Sequence, residues 1–246
     1  MDAVTEDRVL DGRVSLRQPS RGYRAGLDAA LLAAACDAKR GDRVLEAGCG
    51  AGGALLAAAM RCPQTHFTGI ERDAEALELA QENIVLNGLT DRVEVLEGDV
   101  AQRFAVLGLA PFDAAITNPP FFDDAGALRG PSADRRAAWM ADDGLGAWTG
   151  FLAKAVREGG AITVIHRADR LADLLSLLSE KAGSFQVRPV HPFADEPAKR
   201  VLVRAIKTGK APLKLLPALV LHDRVGGKHT PQTEAILRGE AALGWS

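Results

Sequence analysis

Asn118-Pro119-Pro120-Phe121, which follows the apolar run Phe112-Asp113-Ala114-Ala115-Ile116-Thr117, holds residue types suited to a planar amine. The amide oxygen of Asn118 and the carbonyl of Pro119 can each accept a hydrogen bond, and Phe121 offers a flat face for stacking. Pro120 stiffens the segment and fixes the direction of the preceding carbonyl. A Pro-Pro pair alone also marks a plain turn. A second motif upstream, Glu46-Ala47-Gly48-Cys49-Gly50-Ala51-Gly52, points to chemistry rather than a turn. Glycines at alternate positions let the backbone turn tightly and approach a ligand, and the N-terminus of a following helix favours negative charge.

Both motifs need strands to aim them. Arg43-Val44-Leu45-Glu46 reads as a short buried strand, followed by the glycine turn and an Ala/Leu-rich helix to about Met60. A second strand is expected at His66–Glu71, and Asp73 caps a helix through Asn87, with Gly88 as its stop. Further strands are expected at Arg92–Leu96, Phe112–Thr117 and Ala161–His166. A helix from about Ala168 to Lys181 then leads to strands near Phe185–Val190 and Val201–Ile206. Alternating strands and helices imply an α/β, Rossmann-like fold with a mostly parallel sheet and helices on both faces. Ligands in such folds sit beyond the carboxyl ends of the strands. The first four strand ends carry Glu46–Gly52, Glu71, Asp99 and Asn118–Phe121, so the residues of interest share one rim.

Glu46 stands where a pyrophosphate would be repelled and a cationic or amino-bearing ligand favoured. Gly48-x-Gly50-x-x-Gly53 can still be traced, which keeps a dinucleotide site as an alternative. S-adenosylmethionine fits better: its amino group and sulfonium are positive, and its carboxylate can take glycine-loop amides. Glu71 is placed for its ribose diol and Asp99 for its adenine amino group. The five histidines are scattered without ligand spacing, so no metal site is expected.

Glu46-x-Gly-x-Gly-x-Gly52, Glu71, Asp99 and Asn118-Pro-Pro-Phe121, in this order, resemble the class I S-adenosylmethionine-dependent methyltransferases that act on amino nitrogens. More narrowly, Gln18-Pro19, Gly22–Ala29 and Pro197–Arg204 resemble the bacterial family that methylates the anticodon-adjacent adenine N6 of a valine tRNA. The resemblance implies a seven-stranded sheet, S-adenosylmethionine as cofactor with S-adenosylhomocysteine as product, and tRNA as partner. It implies catalytic roles for Asn118, Pro119 and Phe121, and cofactor binding by Tyr23, Glu46, Gly48, Gly50, Gly52, Glu71, Asp99 and Asn118. The same tetrad occurs in guanine-N2 and protein-glutamine methyltransferases. Methylation of a small molecule at oxygen or nitrogen, or RNA or cofactor binding without turnover, are the other readings. O-methylation usually requires a base or metal near the acceptor oxygen, and nothing in the sequence announces one.

The 246 residues are 47% apolar and 25% charged, ordinary for a soluble globular chain. One domain is expected: an N-terminal extension over 1–40 that closes the cofactor pocket, a core over 41–210, and a tail over 211–246 packed on it. The acidic N-terminus lacks the order of a secretory signal, and no apolar run is long enough to span a membrane. Cys36, Cys49 and Cys62 form neither a CxxC pair nor a disulfide framework, which fits a reducing cytoplasm. A net charge of −2 speaks against indiscriminate nucleic-acid binding. Yet Lys199, Arg200, Arg204, Lys207, Lys210 and Lys214 lie in a stretch free of acids, either a phosphate-attracting face or a solvated charged edge of the sheet. The polar, Gly-rich segment 123–144 is expected to be either a substrate-contacting lid, with Arg129, Arg135 and Arg136 as further RNA contacts, or simply disordered, and Trp139 and Trp148 are expected to be packing residues or lid anchors.

Overall fold

Short runs rich in Val, Ile and Ala bury both faces when laid side by side, so they form a parallel sheet only if helices cover it. The structure, a computed structural model, describes residues 4–20, 24–120 and 143–246. The chain opens on a hairpin, β1 (Val4–Val9) and β2 (Val14–Pro19), followed by α1 (Leu27–Ala34). Then come β3 (Arg43–Ala47), α2 (Gly53–Arg61), β4 (His66–Glu71), α3 (Ala74–Leu86), β5 (Val93–Glu97) and β6 (Phe112–Thr117). After the undescribed segment follow α4 (Asp143–Ala155), β7 (Val156–Arg167), α5 (Leu171–Ser179), β8 (Ala182–His191) and β9 (Arg200–Lys207). Two-residue strands β10 (Lys214–Leu215) and β11 (Leu219–Val220) precede α6 (Pro231–Leu237).

The main sheet runs β10-β8-β9-β7-β6-β3-β4-β5, with β11 also on β8. β9 is antiparallel to both β7 and β8, and the remaining pairs are parallel. All seven expected strands are present. The sheet has nine strands rather than seven because β10 and β11 extend its β8 edge. The helix expected from Ala168 to Lys181 is shorter: a 3-10 turn at Ala168–Arg170 precedes α5, and the chain enters β8 at Ala182. Asp73 caps α3 as expected, its Oδ1 accepting from Ala76 N–H at 2.9 Å, and Gly88 follows with φ +64°.

One face of the sheet packs on α1, α2, the N-terminal hairpin and the chain's last residues, burying Leu16, Leu55, Leu56, Leu243 and Trp245 together. The other face packs on α4 and α5 through Leu145, Trp148, Leu152, Leu174 and Leu178. Aliphatic side chains fill most of both layers, as the scarcity of aromatics requires.

The hairpin is held by a device the sequence analysis did not foresee. Asn83, on α3, and Asn87, at its C-terminal cap, face β2 and satisfy its backbone as a neighbouring strand would. Asn83 Oδ1 accepts from Arg17 N–H at 2.8 Å while its Nδ2 donates to Arg17 O at 2.9 Å. Asn87 does the same for Ser15, at 2.9 and 2.7 Å. Asn83 is fully buried and also donates to the carbonyl of Ala51, inside the glycine turn. One side chain thus joins the hairpin, α3 and the turn. Asn83→Ala should lower unfolding free energy by about 2–4 kcal/mol, because it orphans buried backbone groups. An unchanged urea midpoint for that variant would show that the ties carry no stability.

Candidate active site

β3 ends at Ala47 and α2 begins at Gly53, so five residues must reverse the chain. Gly48, Gly50 and Gly52 take φ of +67°, +54° and +90°, the left-handed region that L side chains enter only with strain. The turn is tied to β4 by hydrogen bonds from Gly48 and Cys49 N–H to Ile70 O, at 2.8 and 3.1 Å. Thr117 Oγ1 donates to Ala47 O at 2.9 Å and locks the end of β6 beside the end of β3. That bond carries Asn118 to the flank of the turn. A cleft on this rim is lined by Gly48, Gly50, Ile70, Glu71, Arg72, Gly98, Asp99, Val100, Asn118, Pro120 and Trp148. The glycine turn and the Asn-Pro-Pro segment, 66 residues apart from Gly52 to Asn118, therefore share one cavity.

Glu71 lines the cleft, but part of its acceptor capacity is spent. Oε2 accepts from Gly50 N–H at 2.9 Å, and Oε1 from the N–H groups of Arg72 and Asp73 at 2.8 and 2.9 Å. A carboxylate offers about four lone-pair sites. Glu71 is thus first a clamp on the glycine turn, with room for about one further donor. Asp99 also lines the cleft, with Oδ1 on Ala101 N–H at 2.9 Å and Oδ2 3.8 Å from Arg72 Nη1.

Glu46 is placed differently from the sequence reading. It is 3% exposed and does not line the cleft. Its carboxylate takes the backbone N–H of Leu55, in the first turn of α2, while Oε2 has no partner among the described residues. Burial, then the charge of Glu71, push its pKa well above the usual carboxylate range. The positive end of α2 is thereby occupied from within by a carboxylate, which leaves little attraction for a phosphate. The Cys49 thiol is likewise pushed up, by burial and then by Glu46 and Glu71, so it is not a nucleophile.

Trp148, on α4, is the cleft residue that sequence reasoning missed. Its ring lies so close to Gly48 that a Cβ there would stand 2.3 Å from Cη2. Trp148 Nε1 is buried with no partner among the described residues. The apolar stripe Leu145, Trp148, Leu152 signalled packing, and packing on a helix from beyond a long intervening segment carries no sign of a cleft. Tyr23, Phe121, Arg129, Arg135, Arg136 and Trp139 lie outside the described residues, as does 123–142 of the expected lid; Ala25, two residues after Tyr23, abuts the start of α2 at Gly53.

The basic stretch does not make one face. Arg200 and Lys199 reach the carboxyl rim, since Arg200 pairs with Arg167 at the end of β7. Arg204 lies in mid-strand, and Lys207 reaches the opposite rim, where Nζ donates to Val156 O. Arg200 pairs with Asp28 and Arg204 with Asp37, both at 2.9 Å. An eight-residue strand spans about 25 Å, so a run of cations in sequence is divided between two ends of the sheet.

An open α/β sheet whose glycine turn, acidic strand ends and Asn-Pro-Pro segment share one cleft defines a class I S-adenosylmethionine-dependent methyltransferase. Residues 24–130 match the methyltransferase small domain. A tRNA1(Val) (adenine(37)-N6)-methyltransferase of Yersinia enterocolitica is 31% identical over 179 residues, 72% of this chain and 69% of that relative. A release factor glutamine methyltransferase of Chlorobaculum tepidum is 27% identical over 165 residues, 64% of this chain and 56% of the relative. A crystal structure from Agrobacterium tumefaciens, described as a predicted O-methyltransferase, superposes with a TM-score of 0.75 at 28% identity, covering 88% of this chain and 98% of that one. The chain belongs to the S-adenosylmethionine-dependent methyltransferase family that these relatives represent, and its cofactor is S-adenosylmethionine.

The cleft fits that cofactor on its own terms. It pairs a close-approach backbone at Gly48 and Gly50 with apolar walls at Ile70, Val100 and Trp148, and with carboxylates at Glu71 and Asp99. Trp148, which lines the cleft, adds an Nε1 donor that has no partner among the described residues. Among the described residues no helix is long and apolar enough to cross a membrane, and no three His, Cys, Asp or Glu side chains are grouped to hold a metal.

Two outcomes follow from this geometry. Unfolded, Glu46 loses its proton near pH ~4.3, but the folded protein holds it to higher pH. The native state therefore binds more protons, and its stability falls as pH rises through that window. Melting temperatures of the cofactor-free protein should drop relative to Glu46→Gln between pH 5 and pH 9; parallel curves would refute this. Gly48→Ala should weaken donor binding at least about tenfold, since left-handed strain costs roughly 1–2 kcal/mol before the clash with Trp148 is counted. Calorimetric titration checks it, and pairing it with Trp148→Ala should recover only the clash.

Proposed function

We propose that this protein methylates an exocyclic amino nitrogen, with adenine N6 in tRNA as the acceptor and the cytoplasm as its place of work. The observation that carries the reading is the presence of Asn118 and Pro120 in the same cleft as Gly48 and Gly50. The 31% identical relative named for adenine-N6 methylation of a tRNA supports the choice of acceptor. S-adenosylmethionine supplies an electrophilic methyl group when bound and leaves as S-adenosylhomocysteine.

The chain's own residues orient the acceptor. An exocyclic amine is a weak nucleophile because its lone pair is delocalised into the ring. Asn118 Oδ1 and the Pro119 carbonyl would accept its two hydrogens and turn the lone pair toward the methyl carbon. The new bond is N–C, the broken bond is S–C, and one amine proton passes to solvent. Phe121 would stack on the base, contributing on the order of 1–3 kcal/mol. Positioning supplies most of the acceleration, and no strongly basic group is required. A base in an RNA loop is already partly unstacked, so drawing it into the cleft costs less than from a duplex.

A side-chain amide has the same planar NH2, and the glutamine-methylating relative supports a protein acceptor as the second reading. Purified protein incubated with labelled cofactor and either total tRNA or release factors separates the two. Label in N6-methyladenosine after nucleoside digestion supports the first, and label in N5-methylglutamine the second. Asn118→Ala should lower turnover about 10²–10³-fold, the loss typical of one preorganised polar contact at a reacting centre. Cofactor affinity should stay within a few-fold. Retained turnover would overturn the role given to Asn118.

A further inference from the structure

β8 and β11 run parallel, with Val220 opposite His191, so the segments that follow them leave from one edge of the carboxyl rim. Leu221 N–H donates to His191 O and His222 N–H to Pro192 O, both at 2.9 Å, which continues the pairing beyond the strands. Four planar groups cluster there. The Arg224 guanidinium carbon lies 4.3 Å from the Phe193 ring centroid. His222 approaches the same ring at 5.4 Å, and His229 stacks on His222 at 4.9 Å with 26° between planes. Asp195 and Glu196 hold Arg224 at 3.1 and 3.0 Å. His191 Nδ1 and His222 Nδ1 each lie on a carbonyl, of Glu196 and Lys228, at 2.6 and 2.7 Å. A carbonyl only accepts, so Nδ1 of each ring is the donor in these bonds.

This column is not needed to close the core. The C-terminal segment is anchored by Leu219, Leu221, Ile236, Leu243 and Trp245, all buried, whereas residues 223–228 are exposed, Val225 at 94%. From β6, which ends at the cleft, the strands β7, β9, β8 and β11 follow in order. Three to four strand spacings are about 14–19 Å, the length of roughly four to six stacked nucleotides at about 3.4 Å each. The far side of the rim repels a polyanion: a groove between the hairpin and α3 is lined by Glu6, Glu75, Glu78 and Glu82 around one cation, Arg17.

Resting on the RNA reading above, we propose that Phe193, His222, His229 and Arg224 form a stacking ledge for nucleotides flanking the methylated base, with Lys199 and Lys228 as phosphate contacts. The exposed lysines supply the charge, because Arg224 is balanced by its carboxylates. Binding is therefore dominated by stacking, and two phosphate contacts to a single strand give a shallow salt dependence, a log–log slope of about −1.4.

The test measures tRNA binding by filter retention across salt, together with steady-state methylation, in the full-length protein. Phe193→Ala, and Phe193→Leu as a variant that keeps apolar packing without the aromatic face, should each weaken tRNA binding about tenfold or more and raise the KM for tRNA in step. Donor affinity should not change. Lys199→Gln and Lys228→Gln should each flatten the salt slope by about 0.7. If label enters tRNA with KM and affinity unchanged in the Phe193 and Arg224→Ala variants, the ledge is refuted and the substrate reading stands. If tRNA binds through the ledge but receives no label, the substrate reading falls and the ledge stands. Absence of any tRNA binding refutes both.

Discussion

The site depends on a five-residue reversal that cannot hold its own shape. Glycines at positions 48, 50 and 52 make left-handed backbone available, but they also cost conformational entropy on folding. The turn must be fixed from outside, and three elements do so, β4, α3 and β3. The Ile70 carbonyl receives Gly48 and Cys49, Glu71 receives Gly50, Asn83 reaches Ala51, and Glu46 holds the first turn of α2. The contacts come from the end of β4, from α3 and from β3 itself, so the turn is a product of the completed sheet rather than of its own sequence.

The same contacts set what the turn can bind. In a dinucleotide-binding turn the helix N-terminus is open to a phosphate. Here the Glu46 carboxyl fills that position from below and Glu71 flanks it, so a phosphate finds the helix end already occupied and a carboxylate beside it. Two carboxylates close together in a dry site raise the pKa of the more buried one. The electrostatics of the cleft thus agree with a sulfonium cofactor without reference to any relative. His166 shows the opposite case near the same rim: burial and then Arg170, Arg167 and Arg200 lower its pKa to about 4, leaving a neutral ring at pH 7.

Charge on this protein is arranged by strand direction rather than by sequence position. Because β9 runs antiparallel to β7, a basic stretch that is continuous in sequence delivers Lys199 and Arg200 to the rim and Lys207 to the far end. Acids from α3 and the hairpin collect on the other side of the cleft. A near-neutral chain thereby acquires a sidedness relative to its catalytic rim that its net charge of −2 conceals.

The strand ends were legible because burial on both faces demands uninterrupted apolar runs, and because glycine, proline and asparagine mark where such runs stop. That was enough to place the glycine turn, Glu71, Asp99 and Asn118 on one rim. The hairpin was not legible: β1 alternates Val4, Glu6, Arg8 on an exposed ribbon whose support is two asparagines, one in α3 and one at its cap, more than sixty residues away. Asn83 inside the helix, where asparagine is a poor former, was a sign available in the sequence. Trp148 could not be placed because its contact with Gly48 spans 100 residues and depends on how α4 crosses the sheet. The sequence by itself determined the seven strands of the mostly parallel core sheet and which chemistry their ends carry, since both follow from local pattern and residue type. Tertiary structure alone decided that Glu46 turns inward, that Glu71 clamps the turn and that the cations divide, because those outcomes depend on distances between segments that no local pattern encodes.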